Sequence, residues 1–343
     1  MTSRQTHPHS SATTFERPSA RFDVSVVGEL NLDLILYGLP ERLEPEREYL
    51  AERMALTLGS SAAIFAHNLA AMGSRVAFVS RIGNDPLGRM AMEKLAESGA
   101  DVSHVRIGDG LVATGLTVVL PHERYRNILT YPGAMFDLRF EDLDLDILAS
   151  ARHLHLSSFF LLRALRPRIG ELFTAMKRAG LTTSLDTNDD PADLWESDLP
   201  AVLPCVDVLF VNEREAMKIF GQSDLESALD RLAGLVPVVV VKQGAGGARA
   251  RHGAEECFSQ ALPVECVDPV GAGDSFNAGF IHHYIAGRSL QTCLDHGNRA
   301  GALSVTRLGG TEAFRDREAV RQFLEGRRAE PPEETIEAEK ENQ

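Results

Sequence analysis

The sequence predicts an α/β fold: a mostly parallel central sheet with helices packed on it, and a small second sheet beside it. Three observations carry this reading. From Phe22 onward, short apolar runs alternate with amphipathic stretches, the rhythm of βα units. Two stretches, 33–58 and 111–131, alternate like strands with no crossover helix. Finally, 343 residues with 44% hydrophobic content suffice for one large buried core or two ordinary ones.

The apolar runs predict strands at 22–28, 75–83, 152–157, 182–186, 206–212 and 237–244. Apolar residues recurring at i, i+3 and i+4 predict helices at 61–72, 87–98, 167–179, 213–220, 224–235, 274–286 and 290–306. The domain thus spans 22–324, with 33–58 and 111–131 forming a lid hinged over the main sheet. Residues 1–21 lack the apolar core of a secretory signal and are expected to be a disordered extension. Residues 325–343 are acidic and contain proline, so a disordered tail is expected there.

A formal charge of −14 argues against nucleic acid or an anionic membrane as the main partner and favours a small ligand. No apolar stretch reaches the roughly 20 residues a membrane helix needs. Cys205, Cys257, Cys266 and Cys293 show no ligand spacing and are expected to be reduced thiols in a cytoplasmic protein.

The stretch DPVGAGDSFNAGF, 268–280, is the most informative. Pro269 stops a strand, and Gly271, Ala272 and Gly273 permit backbone conformations and close approaches that larger residues forbid. Opening a helix, the N–H groups of Ala272, Gly273 and Asp274 would converge on an anion, best of all a phosphoryl group in transit. Asp274 has two readings, a general base for an attacking hydroxyl or a plain helix cap. The dinucleotide fingerprint fails at Phe276, and no Gly-Lys-Ser/Thr follows to make a Walker loop.

This stretch resembles the C-terminal signature of the ribokinase-like (PfkB) family of sugar and nucleoside kinases, and further matches in the family's order run from about Phe22 to Leu324. The resemblance implies a three-layer ribokinase-like sandwich with a small β-sheet lid. It implies ATP as donor with Mg2+, Asp274 as catalytic base, and Gly271, Ala272 and Gly273 as the anion hole. A monovalent cation and a homodimer are left open.

VGELNLDLIL resembles the first substrate turn, with Asn31 and Asp33 against sugar hydroxyls; an amide and a carboxylate two residues apart on a strand share a face. Asn31 also fits a plain turn. LGSSAAIFAHNLAAMG resembles the N-terminal signature: Gly59 is kept, Ser60 stands where a second Gly is usual, and Ile64 replaces an Asn that touches sugar. Gly59 and Ser60 are thereby assigned to the substrate, while His67 and Asn68 fit helix packing.

Asn212 and Glu215 match the Asn-x-x-Glu motif that organises magnesium and its waters near the phosphates; their spacing fits a helix capping box equally well. Gly244 and Gly247 match the turn that holds the nucleotide, and Lys242 either reaches a phosphate or is an exposed strand-end lysine. By resemblance Asn298 lies near adenine or ribose, and Gly310 in the adenine-side loop.

Asp186 and Asn188 fit a stretch typical of sugar-acid and fructose kinases, but Asp190 replaces its Arg, which disfavours a carboxylated substrate. Arg124 and Arg126 sit on the expected lid, over the substrate or simply solvated. The favoured acceptor is a neutral sugar. A nucleoside, its base flanked by Ile64, Phe65 and Phe159, is the alternative, and a non-catalytic sugar- or nucleotide-binding regulator is the third reading.

Overall fold

The computed structural model describes residues 20–122, 126–195 and 198–326. The expected N-terminal extension through residue 19, the tail from residue 327, and Arg124 lie outside the described residues.

Thirteen strands are described: β1 (Val24–Val27), β2 (Leu32–Tyr37), β3 (Arg53–Leu58), β4 (Val76–Ile82), β5 (Asp101–Ile107), β6 (Leu116–Pro121), β7 (Arg126–Tyr131), β8 (His153–Ser157), β9 (Thr182–Asp186), β10 (Val208–Asn212), β11 (Val238–Lys242), β12 (Ala248–His252) and β13 (Glu255–Ser259). Nine form one sheet in the order β13-β12-β11-β10-β9-β8-β1-β4-β5, parallel except for the β11-β12-β13 meander. Runs such as Val-Ser-Val-Val in β1 are buried on both faces, as a strand covered by helices on either side must be.

Two apolar cores result, one per face. Helices Ile169–Arg178, Glu213–Ile219 and Leu225–Ala233 cover the first. Helices Ser61–Ala71, Pro86–Ala96, Ala272–Tyr284 and Leu290–Ser304 cover the second. This is the expected three-layer sandwich.

The second sheet has four strands in the order β3-β2-β6-β7, with β2 and β6 parallel at its centre. Its strands lie in the two stretches that lacked a crossover helix; among the described residues there, 38–52 between β2 and β3 and 111–115 before β6 carry no strand. Strand alternation turns Asp33, Ile35 and Tyr37 inward, where Ile35, Tyr37, Val119 and Val270 form a small buried cluster.

Three strands were not expected. β5, β12 and β13 lie toward the edges of the main sheet and carry charge rather than an apolar run. In β12, Arg249 and Arg251 pair with Glu226, Asp230 and Glu256, and β13 at the edge itself is kept polar, which guards against aggregation. Among the described residues no helix is long and apolar enough to cross a membrane, and all four cysteines are free thiols.

Candidate active site

The carboxyl ends of the parallel strands are where α/β sheets gather ligands, and there the chemistry of this chain converges. Asp186 ends β9, Asn212 ends β10 and Lys242 ends β11, with Asn212 and Lys242 directly paired in register. Lys242 Nζ lies 2.6 Å from Oδ2 of Asp186, which also accepts from Asn277 of the signature helix. Lys242 is therefore no exposed strand-end lysine: its side chain is only 17% exposed. Burial works against the ammonium, but Asp186 and Glu215 outweigh it and hold its pKa above the ordinary lysine value.

The signature helix Ala272–Tyr284 starts at Gly271, with φ at +75°. A Cβ there would sit 2.5 Å from the Cα of Gly310, so both the turn and the close approach require glycine. Asp274 does not cap this helix, because Gly271 holds the N-cap position without any side-chain bond. Its carboxyl instead approaches Ser61, and burial followed by the charge of Asp186 pushes its pKa up to about 7, against the opposing pull of Lys242. The expected convergence of three N–H groups is corrected in one detail: Ala272 N–H donates to the Pro269 carbonyl at 3.3 Å, leaving those of Gly273 and Asp274 as the donors of the first turn without a partner among the described residues.

Asn212 and Glu215 form a complete capping box. Asn212 Oδ1 accepts from Glu215 N–H at 2.8 Å, while the Glu215 oxygens accept from Asn212 N–H at 2.9 Å and Asn212 Nδ2 at 2.7 Å. Glu215 is nonetheless electrostatically part of the cluster, its pKa pushed up to about 7 by burial and then by Asp186. Three carboxylates, Asp186, Glu215 and Asp274, thus share one ammonium, an imbalance a divalent cation would relieve.

On one side of this cluster a cavity of about 300 Å³ is lined by Lys242, Gly244, Gly247, Ala272, Gly273 and Asn298. Five of the expected nucleotide and anion residues therefore share a wall with Lys242. Gly244 faces open space, whereas a Cβ on Gly247 would meet the Ser259 carbonyl at 2.1 Å. Asn298 donates to Ser259 and Gln260 carbonyls, so its amide shapes the wall. Gly310 is not in this cavity; it packs against Gly271 and Ile64, and its carbonyl accepts from Asn68, because the loop after helix Leu290–Ser304 folds back onto the turn.

The expected acceptor residues lie near Asp274, whose charge acts on Asp33. Asn31 is buried and donates to Thr117 Oγ1 at 3.1 Å. Asp33 is 7% exposed, and burial, then Asp274, Asp268 and Glu29, push its pKa up to about 7. A Cβ on Gly59 would lie 2.1 Å from Asp33 Oδ1, so glycine makes room for that carboxylate. Ser60, at φ +64°, explains why glycine suits the position. Its hydroxyl donates to the Glu29 carbonyl and accepts from Ala63 N–H as the helix cap, so its only proton is committed within the protein.

Residues 21–317 match the family model of the pfkB family carbohydrate kinases. The chain belongs to that family. It is a kinase of the sugar and nucleoside class. It is 30% identical to a nucleoside kinase of Methanothermobacter thermautotrophicus over 312 residues, 90% of this chain and 98% of that protein. It is equally 30% identical to a fructokinase of Klebsiella pneumoniae over 285 residues, 78% of this chain and 91% of that one. Among solved structures, a ribokinase of Thermotoga maritima superposes with a TM-score of 0.74 at 26% identity, covering 89% of this chain and 99% of that one. A ribokinase II of E. coli in complex with ATP and Mg2+ gives 0.77 at 25% identity, with the same coverage.

Within this pfkB kinase several expectations change. Phe65 and Phe159 cannot flank a nucleoside base together, since they are fully buried in the cores on opposite faces of the sheet. Ile64 is likewise buried, beneath Gly271 and Gly310. Asp190 accepts from the backbone of Ala192, Leu194 and Trp195, so it organises its own loop. Asn188 bonds Ser61 and Ser158, and Asn68 bonds Ser275. Glu29 went unassigned from sequence, yet its buried carboxylate accepts from Ser61 N–H and Ser158 Oγ at the floor of the acceptor side. Its position between the strand and Asn31 was the only signal.

Proposed function

We propose that this protein transfers the γ-phosphoryl group of Mg-ATP to a hydroxyl of a neutral sugar, with Asp274 as general base. The observation that carries the proposal is the place of Asp274: first turn of the signature helix, pKa pushed up to about 7, between the Asn31–Asp33 side and the cavity lined by Lys242 and Gly273. A carboxyl titrating near the operating pH is well matched to accepting a hydroxyl proton.

In this reading Asn31 and Asp33 hold the acceptor, and Gly59 supplies the room. The N–H groups of Gly273 and Asp274, with Gly271 setting the turn, face the charge that develops on the transferred group. Gly244, Gly247 and Asn298 shape the nucleotide cavity, and Lys242 lies at its phosphate end. Mg2+ would supply charge neutralisation; Glu215, with both oxygens already bonded to Asn212, suits holding its water shell rather than the ion itself. Gly310 acts by crowding Gly271, not by touching nucleotide.

The four-stranded sheet is the lid, closing over the acceptor to exclude water. Its outer face is apolar: Leu34, Leu36, Met54, Leu56, Val118 and Leu129, with Met54 and Leu129 more than half exposed. An uncharged sheet face on a chain of net charge −14 fits the same face of a second copy, hence a homodimer. ATP use and four free thiols fit a cytoplasmic protein. A nucleoside acceptor is less favoured, because its expected base-flanking aromatics are core residues.

The test is ADP release from Mg-ATP across a panel of neutral sugars, sugar acids and nucleosides. Release with a neutral sugar is expected. Release only with nucleosides would select the alternative, and none with any acceptor would favour a regulator.

A further inference from the structure

Asp268 opens the signature stretch but plays no part in the roles proposed above. It is 1% exposed, and among the described residues it has no ion-pair partner. Three neutral donors satisfy it instead. Tyr37 Oη–H and Gly309 N–H donate to Oδ2 at 3.0 and 2.9 Å, and Val270 N–H donates to Oδ1 at 2.9 Å.

Each donor belongs to a different segment. Tyr37 ends β2 of the small sheet, Val270 immediately precedes the Gly271 turn, and Gly309 precedes Gly310, whose Cα crowds that turn. Gly309 also abuts Thr57 of β3. On one side of this joint Ile35, Tyr37, Val119 and Val270 pack as an apolar plug, while on the other Tyr37, Asp268 and Val270 line an open cavity of about 950 Å³.

Strand geometry adds the coupling. Tyr37 and Asp33 lie four residues apart on β2 and therefore on the same face. One rigid strand thus carries the proposed acceptor carboxylate at one end and the Asp268 contact at the other.

We infer that Tyr37 is a positioning residue: its hydroxyl, acting through Asp268, joins the small sheet to the anion-hole turn, so that seating of the acceptor strand and geometry of the turn are set together. This deepens the kinase reading and rests on it. Hydrogen bonds to a buried charge are among the stronger ones, so losing this donor should loosen the two remaining ones.

Tyr37→Phe keeps the ring and removes only the donor. In the ligand-free full chain, amide exchange at Val270 and Gly309 is expected to accelerate about tenfold or more, while that of β10 stays unchanged. With the acceptor found in the panel, kcat should fall about tenfold and acceptor KM should stay within about twofold, the pattern of a contact that matters only during transfer. Ile35→Val, which loosens the same plug without touching the bond, should leave both amides and kcat at wild-type values. Wild-type exchange at Val270 and Gly309 in Tyr37→Phe overturns the inference, as does accelerated exchange with unchanged kcat or equal acceleration across β10. Should the wild-type protein release no ADP with any acceptor, the kinase reading fails by itself, and exchange at the two amides still decides whether the joint exists.

Discussion

The amine of Lys242 and the carboxylate of Asp186 form a buried pair, 2.6 Å apart, reaching across β10 from the ends of β11 and β9. Removing one member of such a pair leaves the other buried and uncompensated, which costs about 3–5 kcal/mol. Lys242→Met should therefore lower the thermal midpoint sharply and weaken ATP binding at least about tenfold. Thermal unfolding and nucleotide titration check both. The double variant Lys242→Met, Asp186→Asn should recover more than half of the lost stability, since the charge left behind is gone.

Asp274→Asn should cut kcat by about 10²–10⁴ while leaving ATP affinity nearly intact, the usual contribution of a positioned base. Retention of a third of wild-type kcat would remove Asp274 from that role. In the wild type, kcat should rise with pH through about 7 as Asp274 ionises.

The same residue makes a stability forecast. Its pKa is raised from 3.8 to about 7 on folding, so the folded state holds the proton more tightly and stability is lost as pH climbs through that window. Replacing the carboxyl removes this loss. Ligand-free Asp274→Asn should match wild type near pH 4 and exceed it above pH 7, by at most about 4 kcal/mol. Denaturant titrations at the two pH values measure the difference; an equal offset at both contradicts it.

Glu215→Gln preserves the capping box, because glutamine serves as well at its third position. The thermal midpoint should therefore not fall near pH 4, and above pH 7 it should rise, because the raised pKa of Glu215 makes its charged form unfavourable to folding. What should also rise, several-fold, is the Mg2+ concentration for half-maximal rate, as one carboxylate near the hydrated ion is lost. An unchanged Mg2+ titration would leave Glu215 with the cap alone.

For the small sheet, amide exchange in 32–37, 53–58 and 116–121 should slow when acceptor and a non-hydrolysable ATP analogue are bound together, with β10 little changed. Equal protection without ligands means a rigid sheet.

Its outer face gives a separate forecast. The protein should run at twice its 37.5 kDa chain mass by light scattering, and Met54→Lys with Leu129→Lys should return it to monomer. A monomeric wild type excludes this interface.

Local pattern was enough for the frame of this protein. Continuous valine runs such as 238–241 mark strands buried on both faces wherever they occur, and 3.6-residue periodicity gave helices such as 169–178 to within a turn. Gly271 in a left-handed turn was legible because so few residues tolerate that backbone. The charged outer strands β12 and β13 were not legible, since they carry no apolar run and the arginines of β12 are held instead by ion pairs to the helix Leu225–Ala233.

What the tertiary structure alone decided is which side chains meet. Periodicity tells that a face is apolar, not what packs against it, so Phe65 and Phe159 looked like site residues until the sheet separated them into two cores. Lys242 and Asp186 are 56 residues apart, and Tyr37 and Asp268 are 231 apart. Nothing local encodes those contacts. The first arises because parallel strands bring their carboxyl ends to one edge, the second because the small sheet packs its β2 against the signature turn; in both, burial raises the cost of an unpaired charge and so fixes its partners.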